Sequence, residues 1–154
     1  MSKKISYRGT LAMGNEERIS LATIKGKVGY RISKFQIIST TPGAGAAVEF
    51  IAKITKVKDP AIGPTVRFTD SDLLAVAFYS DNDSTAYPAN ETIIFDNEIF
   101  NQDIFVNITD ADGGTIQGNY YIELERMDLS DLESTMLTLK NLREITSIHD
   151  PTPP

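Results

Sequence analysis

A two-residue alternation in the second half of the chain constrains its fold more than any other feature. Between Asp96 and Met127 the sequence reads DNEIFNQDIFVNITDADGGTIQGNYYIELERM. Ile104, Val106 and Ile108 alternate with Phe105, Asn107 and Thr109; Tyr120, Ile122 and Leu124 alternate with Tyr121, Glu123 and Glu125. A side-chain period of two, apolar on one side and polar on the other, marks a strand with one buried and one wet face. Between the runs, Asp110-Ala-Asp-Gly-Gly114 supplies residues that tolerate positive φ. The two runs are therefore expected to pair antiparallel across a longish loop, with Tyr120 toward the core and Glu123 and Glu125 outward.

The rest of the chain repeats the pattern in shorter pieces. Thr10 to Met13 is expected as a short strand before the turn at Gly14-Asn15, and Arg18 to Ile24 as another. Tyr30 to Thr40 alternates but changes phase near Ser33 or Ile38, as a β-bulge would make it do. Ala47 to Ile54, Thr65 to Phe68 and Glu91 to Phe95 read as further strands, and Ser80 to Asn90 as a surface loop. Leu73 to Tyr79 (LLAVAFY) is nearly all apolar; its length and bounding turns favour a central strand over a buried helix segment. Residues 1–9 are polar and basic (Lys3, Lys4, Arg8) without a sustained period, and are expected as an N-terminal arm, either frayed or laid on a neighbouring copy.

Ser130 and Glu133 have the spacing of a capping box, in which each side chain bonds the other's backbone N–H. The helix they open carries Leu132, Met136, Leu139 and Leu142 on one stripe, expected to cover the strands, and should end near Thr146. His149-Asp-Pro-Thr-Pro-Pro154 then forbids further helix. Together these elements predict an all-β chain: an antiparallel β-sandwich or jelly-roll-like domain of about seven to nine strands with one C-terminal helix. The boundaries are an arm at 1–9, a β-sandwich at 10–129, a packed helix at 130–146 and an extended tail at 147–154.

Its 154 residues suit one domain. With no cysteine, disulfides, thiolate metal sites and cysteine nucleophiles are excluded. No apolar run reaches the roughly 18 residues of a membrane span, and MSKKISYRGT lacks the apolar core of a signal peptide. A net charge of −6 weighs against a general nucleic-acid binder. Charge is unevenly placed: residues 1–77 hold twelve Lys/Arg against six Asp/Glu, and residues 78–154 three against fifteen. Were the two halves separate surfaces, copies would attract head to tail; in an all-β fold the strands interleave and the asymmetry can vanish.

Motifs for chemistry are sparse. Thr41-Pro-Gly-Ala-Gly-Ala46 is glycine-rich, but no Gly-Lys-Ser/Thr follows and the next element reads as a strand, so it is a loop rather than a phosphate cradle. The sole histidine, His149, sits beside the proline-rich end, which leaves no histidine triad or cluster. Asp81-Asn-Asp83 and Asp110-Ala-Asp112 are the candidate calcium ligands, set against the simpler reading of Asx-turns. The first lacks the glycine that an EF-hand loop needs at its sixth position, where Ala86 stands. Glu91, Glu98, Asp103, Glu123 and Glu125 offer many pairs for glycosidase chemistry, and spacing singles out none. Tyr7, Tyr30, Tyr79, Tyr87, Tyr120 and Tyr121 are candidates for a sugar platform, weakened by the absence of tryptophan. No catalytic residue and no cofactor is predicted.

The strings LLAVAFYSDNDST, ETIIFDNEIFNQDIFVNITDADGG and NYYIELERMDLSDLESTMLTLKNLREI follow one another from Leu73 to Ile145, within a likeness that covers Tyr30 to Ile145. In order and texture they resemble small structural proteins of tailed phages of marine bacteria. The resemblance implies a virion protein, assembled in the host cytoplasm, that serves as a capsid or capsid-decorating subunit. Its partners would be copies of itself and other virion proteins, in a homo-oligomer, without a specific nucleic acid or a membrane. The family pattern carries no catalytic motif, so it transfers no residue role. The contact elements expected are the N-terminal arm, the Ser80–Asn90 loop and the Pro151–Pro154 tail. A different class of function, a carbohydrate- or other ligand-binding β-sandwich used in host attachment, would show exposed coplanar tyrosines beside the acidic loops. A glycosidase would need two carboxylates in a cleft.

Overall fold

Alternating strands must turn their apolar faces to one another, and here they do so as two antiparallel sheets. The protein is described by a computed structural model over residues 3–23, 25–43, 47–81, 89–95 and 97–149, with 141–149 as backbone only. In chain order the elements are β1 (Lys3–Leu11), β2 (Glu16–Ile19), β3 (Val28–Ser39), β4 (Val48–Thr55), β5 (Leu73–Asp81), β6 (Ala89–Ile94), β7 (Ile104–Asp110), β8 (Gly118–Asp128) and α1 (Asp131–His149). One sheet has the order β1-β8-β3 and the other β2-β7-β4-β5-β6. The all-β sandwich with a C-terminal helix is thus present, and LLAVAFY is a strand between β4 and β6.

The expected pairing of Ile104–Thr109 with Tyr120–Glu125 is overturned. β7 pairs with β2 and β4, whereas β8 pairs with β1 and β3. The Asp110–Gly114 stretch begins a crossing from one sheet to the other. Ile104, Val106 and Ile108 are buried in the same core as Tyr120, Ile122 and Leu124, so the two runs belong to opposing layers. Alternation fixes which side of a strand is buried; it does not say whether the neighbour lies beside it or across the core.

The N-terminal arm is also a correction. Lys3–Leu11 is an edge strand that pairs with β8 over nine positions, from Lys3↔Arg126 to Leu11↔Gly118. Ile5, Tyr7, Gly9 and Leu11 turn inward and Lys4, Ser6, Arg8 and Thr10 turn out. The period was present but hidden, because Gly9 stands at an inward position. A Cβ on Gly9 would come within 2.8 Å of the Tyr120 ring, which occupies that space instead. Tyr120 then reaches across the core and its hydroxyl donates to Glu17 Oε2 at 2.7 Å, joining β8 of one sheet to β2 of the other.

The phase change in β3 is a register shift between Ile32 and Lys34, where Ser33 bulges and bonds the Glu123 carbonyl at 3.1 Å. Strand Arg18–Ile24 shrinks to β2, which ends at Ile19. Thr65–Phe68 is not a strand; Thr65 O accepts the Lys53 ammonium at 3.2 Å, and Phe68 packs edge-on against Phe95 at 5.0 Å. The sheets approach along β3 and β6, where Thr92 Oγ1 donates to Phe35 O at 2.9 Å. A bridge of two backbone bonds between Tyr30 and Phe100 closes the same side, at 2.8 and 2.9 Å.

The capping box forms as expected, with Glu133 N–H donating to Ser130 Oγ at 3.2 Å and Ser130 N–H to Glu133 Oε1 at 3.4 Å. The helix runs to His149, past the expected end at Thr146 and into the segment assigned to a tail. Residues 150–154 of that tail lie outside the described residues. Its orientation overturns the expectation that the apolar stripe covers the sandwich. Leu132, Met136 and Leu139 are 70%, 62% and 56% exposed, while Ser134 is buried. The docked face is polar: Asn101, fully buried, donates through Nδ2 to Gly26 O and Thr138 Oγ1, both at 3.0 Å. Leu142 lies among the residues described only as backbone.

Candidate functional site

Opposed strands also decide where the charges go. Ion pairs Lys4–Glu123, Arg18–Asp103, Lys27–Asp131, Arg31–Glu125 and Lys56–Glu98 each join a base from residues 1–77 to an acid from 78–154. On the outer face of the three-stranded sheet, the acidic positions of β8 lie between basic positions of β1 and β3. The two halves of the sequence therefore do not form separate surfaces. Their asymmetry is spent inside the monomer, and head-to-tail attraction between halves loses its basis.

The calcium candidates separate. Asp83 lies outside the described residues. Asp81 Oδ2 accepts Gly43 N–H at 2.8 Å and the Tyr79 hydroxyl at 3.3 Å. Asp110 Oδ1 accepts the N–H groups of Glu49 at 3.1 Å and of Asp112 at 2.9 Å, the second being the Asx-turn of the simpler reading. Asp81 and Asp110 flank β4, opposite Val48 and Phe50, and Asp112 is exposed. Among the described residues no three His, Cys, Asp or Glu side chains group to hold a metal ion.

The carboxylates considered for glycosidase chemistry are spread over the molecule. Glu98 accepts Lys56 at 2.5 Å and Lys140 at 3.1 Å, beneath the helix. Asp103 holds the chain after β2: Oδ1 accepts the N–H groups of Leu21 and Ala22 at 2.8 Å, and Oδ2 pairs with Arg18 at 2.7 Å. Burial pushes the Asp103 carboxyl up, but the Ala22 and Leu21 N–H bonds and the Arg18 charge outweigh it and hold it below its ordinary value. The Lys4 ammonium and the Tyr121 and Ser33 hydroxyls keep Glu123 low in the same way. Sequence reasoning missed a further acidic hollow of about 200 Å³, with Asp59, Asp70 and Asp72 in its wall. Asp59 faces Lys53 at 3.4 Å and Asn107 at 3.3 Å, and Asp70 accepts the Asp72 N–H at 3.0 Å. These are the fixed ends of loop 56–72, which covers Asn107 so fully that it is 0% exposed on the outward side of β7.

Of the tyrosines, Tyr30, Tyr79 and Tyr120 are buried, Tyr7 is half-buried against the core, and Tyr87 lies outside the described residues. Tyr121 alone among the described ones faces outward, on the middle strand of the three-stranded sheet. There it forms part of a groove of about 580 Å³. Cross-strand register gives the groove two rows, Arg8–Tyr121–Gln36 and Thr10–Asn119–Ile38, and Asn90 of β6 stands at its side. The Tyr121 hydroxyl donates to Glu123 Oε2 at 3.2 Å, which lays the ring along the strand. Thr10 Oγ1 donates to Asn119 Oδ1 at 2.7 Å and leaves the amide nitrogen of Asn119 free to donate. No sequence motif marks this groove, because its rows are assembled from separate strands, with Arg8 and Gln36 both far along the chain from Tyr121.

Besides Phe68 and the groove residue Ile38, two groups of apolar side chains are exposed. One is the helix stripe of Leu132, Met136 and Leu139; the other is Phe78 and Ile93 on adjacent strands of the five-stranded sheet, at 37% and 38% exposure. No described helix is long and apolar enough to cross a membrane. No protein-family model matches the chain, and no curated protein matches it.

Proposed function

We propose that this chain is a non-enzymatic structural subunit of a tailed-phage virion, a capsid component or a subunit that decorates a capsid, and that it acts by contact with copies of itself. The observation that carries this reading is the orientation of α1. A helix that covers its own domain turns its leucines inward. This one is held by Asn101, by Lys140–Glu98 and by Lys27–Asp131, and offers Leu132, Met136 and Leu139 to solvent. Contiguous exposed apolar side chains of this kind mark contact surfaces.

The occupant that fits is a second α1, antiparallel. At 3.6 residues per turn Leu132, Met136 and Leu139 fall in one narrow stripe, and Glu133 and Lys140 fall together on one flank of it. A two-fold axis near Met136 brings Glu133 of each copy beside Lys140 of the other, whose ammonium then lies between that carboxylate and its own Glu98. The resemblance in sequence texture to marine phage structural proteins supplies the virion context. Its test is the protein inventory of purified particles from a phage that encodes the chain, by mass spectrometry. The chain is expected in many copies per particle; its absence from intact particles overturns the virion assignment.

A further inference from the structure

We propose that the groove over Tyr121 binds an acidic saccharide, with a sugar ring stacked on the tyrosine and its carboxylate or sulfate held by Arg8. This goes beyond the assembly role and stands on separate residues.

The tyrosine is the first support. Its hydroxyl is tethered to Glu123 at 3.2 Å, so the ring is fixed along β8 before any ligand arrives. A fixed aromatic face spares a ligand the ordering cost that a free side chain would impose. The polar wall is the second. Gln36 and Asn90 form no side-chain hydrogen bond among the described residues, and Asn119 keeps its amide N–H₂. Each amide offers a donor, and Gln36 and Asn90 an acceptor as well, which is what the hydroxyls of a sugar require. Concave sites of this size with an apolar platform and a few convergent polar groups are the usual form of small-ligand sites.

Charge selects the class of sugar. On this sheet face Glu123 is taken by Lys4 at 3.3 Å and Glu125 by Arg31 at 2.6 Å. Arg8 and Lys34 enter no ion pair among the described residues: Arg8 stands directly opposite Tyr121 on β1, and Lys34 of β3 sets its Nζ over one face of the ring, 6.0 Å from the centroid, leaving the other face to the sugar. No carboxylate lines the groove. A guanidinium left unpaired beside an aromatic ring favours a ligand that brings its own anion, bound through two parallel N–H···O bonds.

The test is titration of the full 154-residue chain with tetragalacturonate and, in parallel, with neutral galactotetraose, read by calorimetry and by amide chemical shifts. The acidic oligosaccharide is expected to bind and to shift the amides of residues 8–10, 36–38 and 119–121, with the neutral one at least tenfold weaker. Arg8→Gln should lower affinity about tenfold or more and erase the preference for acid, as loss of a charged hydrogen bond does. Tyr121→Phe keeps the ring but frees it from Glu123 and should weaken binding a few-fold, whereas Tyr121→Ala should lose it. These positions face solvent, so unchanged thermal unfolding of each variant separates loss of binding from loss of fold. Absence of binding at millimolar ligand overturns the proposal. So does binding that falls with Arg8→Gln but ignores Tyr121→Ala, which would show charge attraction without a site.

Discussion

Replacing Asn101 by alanine should release the helix from the sandwich. Asn101 is fully buried between the loop before β3 and the docked face of α1. Its amide makes two bonds of 3.0 Å, to Gly26 O and Thr138 Oγ1, and a longer one of 3.4 Å to Ser134 O. Each short bond contributes a net stabilisation of about 1 kcal/mol, and the 3.4 Å contact little. Stranding the Gly26 carbonyl in a dry site adds about 1 kcal/mol or more, so the total loss is about 2–4 kcal/mol. For a chain of this size that lowers the unfolding midpoint by roughly 4–16 °C. The loss should be local as well as global. Hydrogen exchange at the amides of 134–140 should rise about thirtyfold or more, by the same free-energy arithmetic, while β4 and β7 keep their rank as the slowest. Thr138→Val removes one of the two short bonds and should cost about half as much. A loss below about 0.5 kcal/mol, with exchange in α1 unchanged, would refute the claim that a polar anchor holds the helix.

Two titrations carry signs that can be checked. Burial, then the bond and charge of Glu17, raise the Tyr120 phenol well above its ordinary value. The unfolded chain ionises first, so this contribution is whole below about pH 10 and is lost as pH rises further. Tyr120→Phe should cost about 1 kcal/mol at neutral pH and flatten the alkaline fall in stability, measured by urea denaturation; an unchanged alkaline limb contradicts it. Asp103 has the opposite sense, its carboxyl being held low in the folded state. Its stabilisation is present above the unfolded value near 4 and is lost as pH falls through the folded one. Wild type and Asp103→Asn should therefore differ at pH 7 and converge toward pH 2, and parallel curves would contradict the assignment.

The strands were legible in sequence because their period is local. Side-chain alternation in β8 and the phase slip at Ser33 appear as such in the residues. Partners were not legible: the β7–β8 run reads as a hairpin until the whole sheet order is known, since facing layers and paired neighbours share one pattern. β1 reads as an arm because Gly9 removes an apolar mark from its buried side, and what fills that space is Tyr120, far along the chain. The start of the helix is legible in Ser130 and Glu133, but the side it docks is decided by Asn101, a single amide in a coil segment. The groove was beyond sequence reading for a like reason. Arg8, Tyr121 and Gln36 meet only through the register of three strands.

The claim that α1 is an outward contact surface is tested most directly by sedimentation of the wild-type chain beside the triple variant Leu132→Gln, Met136→Gln, Leu139→Gln, over a wide concentration range. These three side chains face solvent, so the variant should unfold within about 0.5 kcal/mol of wild type. Wild type is expected to associate with rising concentration, starting with a dimer, and the variant to stay monomeric. A wild-type chain that remains monomeric throughout, or a variant that associates as wild type does, would contradict the account.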